Sequence, residues 1–140
     1  MSYAGDITPL QAWELLRDNP DAVLVDVRTE AEWRFVGVPD TTSIDRPTAL
    51  IEWVDFGGGR NEAFVDQLKQ ALAGRAAGSD APVVFLCRSG QRSIGAATAA
   101  TAAGFAPSYN VLEGFEGPLD EVAHRGAAGW RAHGLPWRQS

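Results

Sequence analysis

The sequence predicts an α/β fold on two observations. Short apolar runs of strand length alternate with segments patterned as helices, and the most β-prone run leads directly into a glycine-containing loop and an alanine-rich helix. In chain order, Thr8-Pro9-Leu10-Gln11 reads as a helix start: Thr8 caps, Pro9 suits the first helical position, and Gln11 completes a capping box. Trp13, Leu15 and Leu16 supply part of its buried face. The apolar run from Ala22 to Val27 has the length of a buried strand. Thr29 and Glu32 form a second capping box, opening a short helix through Trp33. Thr42 to Arg46 reads as a short strand cut by Pro47, and the pattern from Thr48 to Phe56 fits neither element.

Gly57-Gly58-Gly59 then breaks the chain with a hinge. Asn61 is placed to cap a helix carrying Phe64, Val65, Leu68, Ala71 and Leu72 on one side. Gly74 to Pro82 is a polar loop, and Val83-Val84-Phe85-Leu86 is the clearest strand. Ser93 to Ala103 is helical and ends at Gly104, a good C-terminal cap. Tyr109 to Leu112 is the last strand, and Trp130, Leu135 and Trp137 give the tail enough apolar bulk to pack. Residues 1–140 are read as one domain, with residues 47–61 as an insertion able to fold over the site as a lid.

Composition narrows the function. Apolar residues at 45% and charged residues at 21% are ordinary for a globular chain. No apolar run approaches the roughly 20 residues that span a bilayer. The first residues lack the basic and apolar segments of a secretory signal, so a cytoplasmic location is expected. Twelve basic against eighteen acidic residues give a net charge of -6. That field disfavours nucleic acid and anionic membranes as partners, and a small anionic substrate needs a local positive pocket. With Cys87 the one cysteine, no internal disulfide, multi-thiolate zinc site or two-cysteine redox cycle is open to the chain. His124 and His133 have no partner at ligand spacing, so no metal site is expected.

The chemistry concentrates in Cys87-Arg88-Ser89-Gly90-Gln91-Arg92-Ser93, between a buried strand and a helix start. In open α/β sheets ligands bind at the carboxyl ends of strands, and loop amides leading into a helix cradle negative charge. A helix N-terminus stabilises an anion by about 0.3–1 kcal/mol, so several donors must act together on a thiolate. Arg88, Arg92 and the amides from Ser89 to Ser93 are the expected donors. A lone cysteine after an apolar run is often just a small buried hydrophobe. Two arginines, a glycine and a helix start within six positions argue against that here.

This stretch resembles the active-site loop of the rhodanese family, where Cys-Arg-Ser-Gly-x-Arg-Ser is a familiar form. Asp26-Val27-Arg28 with Glu30 and Glu32-Trp33, Leu112-Glu113-Gly114, Gly129-Trp130 and Gly134-Leu135-Pro136-Trp137 resemble other family segments in the same order. The resemblance implies a small central parallel sheet with helices on both faces. It also implies a sulfurtransferase in which Cys87 takes sulfane sulfur from thiosulfate or a persulfide donor and passes it to a thiol or cyanide. Arg88, Ser89, Gly90, Gln91 and Arg92 would form the anion-binding loop, and Ser93 would donate to the persulfide. The covalent persulfide takes the place of a cofactor, and the partners implied are a small anionic sulfur donor and a thiol acceptor or sulfur-acceptor protein.

The chain departs from the family in two places, with Gly37-Val38-Pro39 where Gly-His-Ile is frequent and Gly114-Phe115-Glu116 where Gly-Gly-Trp is. Asp26 and Arg28 read first as a structural charge pair and second as pocket rim. Trp53, Phe56 and Gly114 are the other rim candidates. Two rival functions stand beside the transferase: a persulfide carrier or regulatory module without turnover, and a cysteine phosphatase or arsenate reductase. The second typically places five residues between cysteine and arginine, whereas four separate Cys87 from Arg92.

Overall fold

The computed structural model describes residues 3–54, 57–73, 81–105 and 107–139. Five strands form an all-parallel sheet: β1 (Gly5–Ile7), β2 (Val23–Asp26), β4 (Thr48–Leu50), β5 (Val83–Leu86) and β6 (Ser108–Val111), in the order β1-β6-β5-β2-β4. β3 (Val38–Pro39) pairs antiparallel with β7 (Trp137–Arg138) in a separate ribbon. Among the described residues four α-helices accompany them: α1 (Pro9–Asp18), α2 (Glu30–Phe35), α3 (Phe64–Ala71) and α4 (Arg92–Ala102).

β2 and β5 are apolar at nearly every position because both faces of the sheet are covered, as parallel strands require. Successive side chains point to opposite faces, which splits the core in two. Val23, Val25, Val27, Val83, Phe85 and Cys87 face α3 and α4, where Phe64, Leu68, Ala96, Ala97 and Ala100 meet them. Leu24, Val84, Leu86 and Val111 face α1 and the tail, against Ala12, Leu16, Phe115, Trp130 and Leu135. Small residues along α4 let it lie close to the sheet.

Both capping boxes form. Thr8 Oγ1 accepts from the Gln11 amide while Gln11 returns a bond to the Thr8 amide, and Thr29 and Glu32 repeat the arrangement. Elsewhere the structure differs from expectation. Thr42–Ile44 is a 3-10 turn rather than a strand, because Asp40 accepts from both the Thr42 amide and its hydroxyl. Asp45, left-handed at φ 56°, ends it. Part of the expected insertion, Thr48–Leu50, belongs to the sheet as β4, paired with β2. Asn61 caps the turn before α3, accepting from the Ala63 amide at 3.1 Å, and the helix begins three residues later than Asn61 at Phe64. Most of the Gly74–Pro82 loop lies outside the described residues. Among the described residues no helix is long and apolar enough to cross a membrane.

β2 and β5 lie side by side, and the chain leaves them in opposite directions: β2 leads outward to β4, and β5 leads through α4 to β6. The loops after these two strands therefore diverge and open a crevice at the carboxyl edge of the sheet.

Candidate active site

Cys87 follows the last residue of β5, and α4 starts five residues later at Arg92. The Cys87 Sγ accepts two hydrogen bonds, from the Gly90 amide at 3.1 Å and from the Ser93 hydroxyl at 3.2 Å. Gly90, at φ 99°, takes a backbone conformation that L side chains rarely adopt, and this turns its amide back on the sulfur. The thiol is 1% exposed and faces the start of α4. The expected ring of amides from Ser89 to Ser93 is thus one amide and one hydroxyl. Ser89 is half-buried and Gln91 exposed, and Gln91 precedes the helix without a capping side-chain bond.

Ser93 also donates to Asn110 Oδ1 through a short contact. A hydroxyl carries one proton, so Ser93 serves either the amide oxygen or the sulfur at any instant. Asn110 in turn donates to the Gly90 carbonyl at 3.3 Å and to Asp6 Oδ1 at 3.0 Å. It ties β6 to the loop and fixes the serine. Asn110 is not among the residues the sequence points to; its signal is a polar side chain amid the β-prone run Tyr109-Asn110-Val111.

The two arginines divide. Arg92 makes a two-pronged ion pair with Glu32, Nη1 to Oε1 at 2.8 Å and Nη2 to Oε2 at 2.9 Å. Burial pushes the Glu32 carboxyl up, but the Arg92 bond, the Thr29 amide and the charges of Arg92 and Arg28 outweigh it and leave it below its usual value. For Arg92, burial favours the neutral form, yet the Glu32 bond and the negative charges of Glu32, Cys87 and Asp26 hold it more firmly protonated. Arg88 is exposed and makes no side-chain hydrogen bond or ion pair among the described residues. Both arginines line a cleft of about 480 Å³ together with Thr29, Ala31, Glu32, Val36, Val54 and Gly58. Glu32 was legible only as a capping residue, and its second role needs the fold to bring α2 to α4.

Of the rim candidates, Asp26 and Arg28 are fully buried, joined by three side-chain bonds of 2.6–3.2 Å, so neither forms a rim. Their alternation with Val27 turns them to the face opposite Cys87, where the Arg28 guanidinium lies 4.2 Å from the Phe115 ring centre and donates to the Gly37 carbonyl. Gly114 also lies off the rim: a Cβ there would stand 2.5 Å from the Cys87 carbonyl oxygen. The following amides, of Phe115 and Glu116, donate to the Cys87 and Arg88 carbonyls and brace the loop. Trp53 packs edge-on against Phe64 and fills the space beside Gly95, with Arg60 stacked 3.7 Å over it, so it anchors its segment to α4. Phe56 lies outside the described residues. His133 pairs with Glu113 at 3.1 Å.

A family model for the rhodanese-like domain matches residues 8–120. An uncharacterized protein of Rickettsia conorii, RC0915, is 33% identical over 133 residues, 95% of this chain and 96% of that one. The thiosulfate sulfurtransferase GlpE of Glaesserella parasuis is 34% identical over 112 residues, 80% of this chain and 83% of that one. The crystal structure of Rv0390 from M. tuberculosis matches with a TM-score of 0.90 and 62% identity, over 99% of this chain and 100% of that one. By its sheet order, its cysteine loop and this match over most of its length, the chain belongs to the rhodanese-like family.

Proposed function

We propose that the protein is a sulfurtransferase that carries sulfane sulfur on Cys87 between an anionic donor and a thiol or cyanide acceptor. The observation that carries this reading is the pair of donors on Cys87 Sγ, the Gly90 amide and the Ser93 hydroxyl, at the junction of β5 and α4. The Gly90 amide, joined by the Ser93 hydroxyl when its proton turns from Asn110, sets hydrogen-bond donors on the sulfur that would attack and on the persulfide formed from it. With thiosulfate, the Cys87 thiolate attacks the terminal sulfur, the S–S bond of the donor breaks, and sulfite leaves with the bonding pair. An acceptor thiolate or cyanide then attacks the outer sulfur and returns Cys87 as thiolate. Splitting the transfer in two is covalent catalysis. Chemistry through one free thiol suits the reducing cytoplasm.

Intact mass after incubation with thiosulfate or a persulfide donor tests this directly. The expected result is a gain of one sulfur atom, lost on adding cyanide or reductant and absent in Cys87→Ser. A wild-type mass unchanged with every donor overturns the reading.

A further inference from the structure

The cleft beside the loop is built from opposed charges. Its described wall carries two guanidinium groups, Arg88 and Arg92, and one carboxylate, Glu32. Glu32 is held by Arg92 through both oxygens and by the Thr29 amide and hydroxyl, so it stands at a fixed place in the wall. Its side chain keeps 17% exposure, so its charge is felt in the cleft as well as by Arg92. The described wall therefore offers one positive charge in excess, and Arg88 is the guanidinium without a carboxylate partner among the described residues.

We propose that Glu32 is a selectivity residue that lessens the site's preference for doubly charged thiosulfate over singly charged sulfane donors, such as organic persulfide, hydrogen polysulfide or thiosulfonate anions. This rests on the sulfurtransferase reading and names its donor class. Every donor loses its terminal sulfur to the Cys87 thiolate, so donors differ in what remains. A thiosulfonate anion gives up its terminal sulfur, the S–S bond breaks, and a singly charged sulfinate departs with the bonding pair. Thiosulfate does the same chemistry, but enters with two negative charges and leaves a dianionic sulfite in the cleft. Each extra charge on the donor meets Glu32 once more, while Arg92 is already matched.

Thiosulfate and methanethiosulfonate form the probe pair, since one replaces an oxygen of the other by a methyl group and removes one charge. The experiment measures kcat/KM for both, with cyanide as acceptor, in wild type, Glu32→Gln and Arg88→Gln. Glutamine keeps an oxygen for the Thr29 amide. The expected result is that Glu32→Gln raises the ratio of thiosulfate to methanethiosulfonate kcat/KM about tenfold, roughly one unit of charge acting at a solvent-open wall. Arg88→Gln, an exposed substitution that leaves the fold alone, lowers the same ratio. A ratio unchanged within twofold in both variants, or moved in the opposite sense, overturns the assignment while leaving sulfur transfer standing. If neither donor loads sulfur onto wild-type Cys87, the functional reading falls and takes this assignment with it.

Discussion

At the residue scale the site turns on the Ser93 hydroxyl. Its proton has two acceptors, and only one of them is the sulfur. Ser93→Ala removes a donor from the sulfur that the proposed reaction uses as thiolate and leaves the buried Asn110 Oδ1 without its serine. A lost hydrogen bond to a charged group is worth about 1.5–3 kcal/mol. Sulfur loading is therefore expected to slow by roughly 10- to 100-fold, which stopped-flow or quenched mass measurement of persulfide formation reads. Ser93, which the resemblance alone implied as a donor, lies within hydrogen-bond distance of the thiol because it opens α4 directly after the loop. Asn110 and Glu32 were beyond reach for the opposite reason: each arrives from an element that only the folded sheet brings near.

At the scale of elements, the loop after β5 is held from below by the turn that follows β6. Gly114 sits there at φ 64° with no room for a side chain, its neighbouring amides bonded to the Cys87 and Arg88 carbonyls. Gly114→Ala forces a left-handed alanine against backbone atoms that cannot move away cheaply. The expected loss is about 2–4 kcal/mol of stability, measured by denaturant titration, with sulfur loading reduced in parallel as the loop shifts. Helix starts and buried strands were readable in the sequence because caps and dense apolar runs are local signals. β1, β3 and β7 were not, since two- and three-residue strands lack a pattern of their own and form because a neighbour offers its edge. The turn at Thr42 was misread for a related reason: its β-prone residues are outweighed by the Asp40 side chain bonding the backbone locally.

For the whole molecule, the Glu32–Arg92 pair joins α2 to α4 across the site, so its titration bears on folding. The Glu32 carboxyl lies below its ordinary value of 4.5 in the folded protein. A depressed carboxylate binds fewer protons folded than unfolded, so its contribution is present above that ordinary value and disappears as pH falls through the lower folded one. Thermal melts of wild type and Glu32→Gln are expected to differ at neutral pH, wild type being the more stable, and to converge in acid. A gap that stays constant down the acid limb overturns this linkage. The parallel order of the sheet was expected from the family resemblance, whereas the alternation of segments alone gave only the α/β class.

The near-complete enclosure of Cys87 has a corollary for the handling of the protein itself. A chain whose one thiol is 1% exposed has no sulfur on its surface with which to cross-link to a second copy. Two folded copies cannot bring these enclosed thiols to disulfide distance without opening the loop, so disulfides between molecules are expected chiefly from unfolded chains.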